Sequence, residues 1–275
     1  MPTRSTRATK RVQVIGTFAA HKDRRRLVLR PSSQRLLGLL AVAGDLARPD
    51  AAGMLWPDLR GRRAQANLRT VLWRLRQDAT GFVAGDGDIL SLDEVEVDAA
   101  ALRSWAWHAL RSEDPWMPPP PTIGRELLPG WSDDWLLQPR EELRLLYLYG
   151  LEAAGQRLLM SGRLGEAASL ALTAISIDPL RESANKLLID IHLRDGNATE
   201  AARHFAAYET RLLVETGTEP GPALTALVAA ATHSRNRSPH SRLHETPQLP
   251  VPLRPGGHDP QRNHPLERPG HPPPG

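Results

Sequence analysis

The sequence contains no cysteine. That excludes a disulfide framework, thiolate zinc sites, iron–sulfur clusters and any cysteine nucleophile. Long hydrophobic runs are missing too, since no uncharged stretch approaches the roughly 18–20 residues needed to cross a bilayer. The nearest thing to a secretion signal, VQVIGTFAA after the basic start, is broken by Gln13, Gly16 and Thr17 and runs into HKDRRR. It is better explained as a strand. Aromatic residues make up only 5% of the chain, and lysine is scarce: 3 of the 35 Lys and Arg residues. No GxxxxGK[ST] loop, Ser/His/Asp ordering or paired-carboxylate pocket stands out, so enzyme chemistry has no visible carrier. No cofactor is expected.

The 275 residues and net charge of +4 conceal a strong polarity along the chain. Residues 1–92 hold 17 Lys/Arg against 7 Asp/Glu, a net +10, whereas residues 93–275 hold 18 against 24, a net −6. A cationic module of this kind expects a polyanion as partner. Composition divides the chain into a disordered basic arm (1–11), the cationic module (12–98), a helix-forming region (99–231) and a tail (232–275). From His233 onward there are 11 Pro and 6 His in 43 residues, too little apolar matter to order the tail. His240 and His244 have metal-ligand spacing there, but no third ligand is placed and no metal is expected. The segment RSEDPWMPPPPT, with its Pro118–Pro121 run, must be an extended loop.

Within the cationic module, Val12, Val14, Gly16 and Phe18 alternate, as do Leu27 and Leu29 after HKDRRR, which predicts a hairpin turning at the charged segment. Pro31-Ser32-Ser33 then opens a helix, with Ser32 or Ser33 available as N-cap. A second helix near Asp50–Trp56 stops at Pro57, and a third runs from about Arg62 to Asp78. FVAGDGDILSL closes the module as a hairpin turning at Gly85-Asp86-Gly87. Hairpin, three helices, hairpin is the order of a winged helix.

The third helix has a stripe and a face. At 100° per residue, Ala64, Val71, Leu72 and Leu75 fall within about 60° of Leu68, the side predicted to be buried. The other side presents Arg62, Arg63, Asn67, Arg69, Thr70, Trp73, Arg74 and Gln77. Arg pairs bidentately with guanine, Asn and Gln with adenine, and Arg also clamps phosphate, so this is a major-groove inventory. The expected DNA-binding set is therefore Arg62, Arg63, Asn67, Arg69, Thr70, Arg74 and Gln77. Ser32 and Ser33 at the first helix and Asp86 and Gly87 at the hairpin tip are added to it. An ordinary solvated helix would mix acids among these arginines, and none occurs before Asp78.

The second half contains a repeat. Ser161-Gly162-Arg163-Leu164-Gly165-Glu166-Ala167-Ala168 recurs as Asp195-Gly196-Asn197-Ala198-Thr199-Glu200-Ala201-Ala202, an offset of 34 residues, the tetratricopeptide period. Gly162, Ala167 and Pro179 have that motif's turn, close-packing and terminator spacing. Helices around 99–110 and 133–160 and the segment 208–230 are needed to extend and cap so short a stack. The expected fold is thus an α+β winged helix-turn-helix domain, an all-α tetratricopeptide-like helical domain and a disordered tail.

Five segments together, LWPDLRGRRAQANLRTVLWRLRQ (55–77), DILSLDEVEVDAAAL (88–102), LLPGWSDDWLLQPREELRLL (127–146), residues 161–213 and TEPGPALTAL (218–227), resemble the Streptomyces antibiotic regulatory protein family. The resemblance covers roughly residues 12–230. It implies an OmpR-type winged helix joined to a bacterial transcriptional activator domain. It also implies a cytoplasmic, nucleoid-associated activator that binds direct repeats in promoter DNA as a homodimer. Such an activator would recruit RNA polymerase holoenzyme, through its sigma factor or alpha subunit, to a secondary-metabolite gene cluster, with no membrane partner. Trp131 and Trp135, with Asp133, Asp134, Arg140 and Glu141, match a family signature that is either a ligand or polymerase surface or a helix anchored to the core. The alternative for the whole chain is a tetratricopeptide-type interaction scaffold whose winged helix has lost DNA binding.

Overall fold

β-branched and small apolar residues at the start of the chain build a four-stranded sheet in the computed structural model, which describes residues 9–85, 87–111, 117–121 and 126–236. Lys10–Gln13 (β1) pairs antiparallel with Ala19–Lys22 (β2), and Arg25–Arg26 (β3) adds an edge. The turn predicted at HKDRRR is present between β2 and β3, and another precedes it. β1 stops at Gln13 because Gly16, at φ +81°, bends the chain, and Val14 and Ile15 donate their N–H groups to the Asp98 carboxylate at 2.8 and 3.0 Å. The second turn is at Asp23, φ +56°, where the Asp23 carboxylate accepts the Thr9 N–H at 3.0 Å. Leu27 and Leu29 lie beyond β3. Lys10 and Arg11, assigned from composition to a disordered arm ending at 11, belong to β1. The Lys10 ammonium is buried and satisfied by Gly81 O at 2.6 Å and Asp93 Oδ2 at 3.0 Å. A buried cation needs such partners.

Pro31–Ala43 forms α1, and its start corrects the capping expectation. Arg30 is the extended N-cap residue and Pro31, whose fixed φ suits the first turn, opens the helix without a side-chain cap. Ser33 is fully buried and its hydroxyl has no partner among the described residues. Leu36, Leu37, Leu39 and Leu40 are all buried, so α1 is the central helix of the module. Leu46–Ala47 (β4) leads into Arg48–Leu55 (α2), where Pro49 sits harmlessly in the first turn. The third helix, Gly61–Asp78 (α3), is 18 residues, about 27 Å long. Val83–Ala84 (β5) and Ile89–Leu92 (β6) form the closing hairpin, and β4 pairs on the other side of β6.

Val95–Val97 (β7), not separately foreseen, returns to lie parallel to β1, giving the order β3-β2-β1-β7. Among the described residues six helices follow: Asp98–Arg111 (α4), Leu137–Met160 (α5), Leu164–Ile177 (α6), Glu182–Arg194 (α7), Ala198–Thr216 (α8) and Pro222–Asn236 (α9). A helical turn of 3-10 type, Asp134–Leu136, introduces α5. The tail boundary at 232 is therefore too early. α9 reaches Asn236, and residues 237–275, including His240 and His244, lie outside the described residues, as do residues 1–8. Residues 117–121 have neither helix nor strand, as the proline run requires.

The 34-residue repeat has a physical basis. Gly162 and Gly196 adopt φ +78° and +74°, and the N–H groups of Arg163 and Asn197 return to Leu158 O and His192 O at 2.9 and 2.8 Å. This is the same helix-ending turn used twice. Ala167 and Ala201 are both fully buried. α5 approaches its neighbours closely at two glycines: a Cβ on Gly150 would come within 3.1 Å of the Ala106 backbone, and one on Gly155 within 2.7 Å of the end of the Leu187 side chain.

Packing does not break where charge does. One continuous core runs from Val12 through α1 and α4 to Ile191, with a smaller cluster around Ile189, Tyr208 and Leu224.

Candidate nucleic-acid interface

α3 is amphipathic in the way its spacing predicts. Ala64, Leu68, Val71 and Leu75 are buried and Leu72 is half-buried. Arg62, Arg63, Asn67, Arg69, Thr70 and Gln77 are exposed, and Arg74 is half-buried. None of these arginines has a carboxylate partner among the described residues. Thr70 donates its hydroxyl to Ala66 O at 3.0 Å, which leaves the oxygen as an acceptor outward. Five cationic or amide side chains are thus exposed along one helix, with Arg74 half-buried beside them.

The other expected residues are less uniform. Gly87 is exposed at φ +69°, at the tip of the β5–β6 hairpin. Asp86 lies outside the described residues. Ser32 is half-buried on the first turn of α1, and Ser33, being fully buried, cannot touch DNA. Burial followed from the position of Pro31: with the helix starting there, Ser33 faces inward beside Leu36 and Leu37.

Several residues were not singled out from sequence. Arg48 holds the hairpin tip, its Nε donating to Gly87 O at 2.9 Å and its backbone N–H to Asp88 O at 2.8 Å. A Cβ on Gly85 would lie 2.9 Å from the end of the Arg48 side chain, and Gly87 has a positive φ that favours glycine. Arg60 and Arg76 are exposed at either end of the α3 face. Trp73, recorded on this face from spacing but not placed in the set, is 63% exposed near its middle. The signal for Arg48 was weak because its role depends on β4 pairing with β6, a contact 40 residues away in sequence that periodicity does not carry.

The tryptophan signature before α5 resolves toward anchoring for some members. Trp131 stacks on Phe18, ring centroids 5.8 Å apart, and lies 3.0 Å from where a Cβ on Gly38 would be. Arg140 donates to the carbonyls of Leu127, Leu128 and Trp131 at 2.6–2.9 Å. Arg35 pairs with Asp133, and Glu141 with Arg144, whose guanidinium also reaches Asp178 at 3.2 Å. An open cleft of about 890 Å³ separates the α2–α3 turn from residues 130–135, with Trp56, Trp131 and Trp135 on its walls. Among the described residues no group of three metal-ligating side chains occurs, and no helix is long and apolar enough to cross a membrane.

Comparison with known proteins addresses the two halves unequally. No curated protein matches the chain. A solved structure of Mycobacterium tuberculosis EmbR, in complex with a low affinity phosphopeptide, has a similar fold, with a TM-score of 0.58 at 16% identity. The similarity covers 82% of this chain and 66% of that one, so the chain spans just under two thirds of its structural relative. It extends the likeness of fold to most of the chain, a small β region followed by a helix-rich one. Residues 124–231 match the bacterial transcriptional activator domain, a domain of transcription regulators and not of enzymes.

Proposed function

We propose that the chain is a sequence-specific DNA-binding transcriptional activator whose N-terminal module is a winged helix and whose α3 enters the major groove. The observation that carries this is the unneutralised face of α3, where Arg62, Arg63, Asn67, Arg69 and Gln77 are exposed on the side opposite a buried apolar stripe. Base edges are read by such side chains, and phosphates by the same arginines at the rim. The β5–β6 hairpin, held by Arg48, serves as the wing beside the backbone. On this reading the helical domain, a tetratricopeptide-like stack, holds two protomers in register on direct repeats, since linked sites gain from effective concentration without new base contacts. It also presents a surface to the sigma factor or alpha subunit of RNA polymerase. The resemblance to antibiotic regulators makes a secondary-metabolite cluster the expected target and the nucleoid of the cytoplasm the place of action.

The test is binding of the full chain to promoter fragments from its own gene neighbourhood over a salt series. Neutralising several phosphates should make log affinity fall linearly with log salt, and footprinting should reveal a repeated half-site. A folded protein with no salt-dependent duplex binding would instead favour the interaction-scaffold reading.

A further inference from the structure

The cleft between the α2–α3 turn and residues 130–135 has no task in DNA reading, yet its chemistry is specific. Its volume, about 890 Å³, lies within the roughly 300–1,000 Å³ of small-molecule sites. Its walls carry three of the chain's seven tryptophans, Trp56, Trp131 and Trp135, all half-buried, so each keeps surface available beyond its packing contacts. Its net charge is negative. The single lining cation, Arg35, is paired with Asp133, whereas Asp58 and Asp134 are exposed and have no cation partner among the described residues. Indole faces attract cations through their quadrupole, most strongly of all the aromatic side chains, and the two exposed carboxylates lining the cleft add attraction of the same sign. An anion would meet repulsion here, and a purely apolar ligand would leave the carboxylates unused.

From this combination we propose that the cleft binds a small organic cation, a substituted ammonium on an apolar body. Because one wall comes from α1, α2 and the turn leading into α3 and the other from the segment that starts α5, an occupant bridges the two halves of the molecule. Such a ligand would tie the setting of the α3 N-terminus to the helical domain. The site itself stands on cleft geometry and chemistry and does not depend on the activator reading.

Choline and its uncharged isostere 3,3-dimethylbutan-1-ol test it, titrated into the full-length protein with tryptophan fluorescence and calorimetry as readouts. Choline should bind saturably, with half-saturation on the order of millimolar, and the alcohol at least ~3-fold more weakly. The Asp58→Asn/Asp134→Asn double variant, altered only at exposed positions, should keep its circular dichroism spectrum and lose at least ~3-fold in choline affinity. Trp56→Leu should weaken binding further; if it does not fold, the double variant decides alone. Absence of saturation, equal binding of the alcohol, or unchanged choline affinity in the folded double variant would each overturn the proposal. No arm contains DNA, so a failure here is separate from a failure of the proposed activator function.

Discussion

Asp98 shows how one side chain can join two parts of the chain. Its carboxylate accepts N–H groups from Val14 and Ile15 at the end of β1 and from Ala99 at the start of α4, all within 3.0 Å. Burial outweighs these bonds and holds the carboxyl above its usual range. Asp98→Asn puts an amide donor opposite one of those N–H groups, so it should destabilise the protein by about 1–3 kcal/mol, measured by urea unfolding. His204 gives a pH test. Burial first, then the charges of His192 and Arg211, depress its pKa, and its Nε2 meets Asn185 Oδ1 at 3.0 Å. The unfolded chain, with an ordinary value near 6.5, therefore takes up a proton before the folded one does. Stability conferred by neutral His204 is present above pH ~6.5 and is lost as pH falls through the folded-state value. His204→Gln should flatten that part of the stability profile between pH 7.5 and 5. An unchanged acid slope in the variant would assign the effect elsewhere.

At the scale of elements, what the sequence discloses depends on whether the signal is local. The burial of Leu68, Val71 and Leu75 is legible because helical periodicity is a property of neighbouring residues, and the turns at Gly162 and Gly196 because glycine has a local reason to be there. β7 is not, since VEV carries no mark of the parallel partner 85 residues earlier, Lys10–Val12. The earlier turn, near Gly16, is not legible for the same reason. Ile15 and Gly16 are held by Leu127 and Glu126, far along the chain, which overrides the alternation that would have continued the strand to Phe18. The α3 face yields the element-scale prediction. Alanine at Arg62, Arg63, Asn67, Arg69, Thr70 or Arg74 should divide these residues into two classes by binding assays on operator and mismatched DNA. Loss of a base contact costs ~1–3 kcal/mol and relaxes preference at one base pair; loss of a phosphate contact weakens all sequences alike and lowers the salt slope. Operator affinity unchanged at all six would remove α3 as the reader. In the helical half, Ala167→Leu and Ala201→Leu place larger side chains at fully buried positions, and each should cost ~1–3 kcal/mol in thermal or urea unfolding.

For the whole molecule, the buried core continues across residue 98, where the cationic module passes into the helix-rich region. Leu127 and Leu128 are almost fully buried, Leu128 donates its N–H to Val14 O at 2.8 Å, and Trp131 closes over Gly38 and Phe18, so the segment before α5 completes the core of the N-terminal module. α4 packs on both α1 and α5, and Arg103 reaches the Val42 carbonyl at 3.3 Å. Removing everything after residue 98 would expose α1 along the side that α4 and residues 127–131 cover. Each of the buried Leu127 and Leu128 lost from that surface forfeits about 1.5–3 kcal/mol of apolar burial, against a total stability of only ~5–15 kcal/mol for a typical domain. A fragment of residues 1–98 should therefore unfold at markedly lower urea than the full chain, with a broad transition, and bind DNA weakly for want of folded protein. The full chain should unfold with coincident fluorescence and circular dichroism transitions, as expected when one core is shared. Two well-separated transitions in the full chain, or a fragment as stable as the whole, would show instead that the cationic module is an independent domain that the helical half merely accompanies.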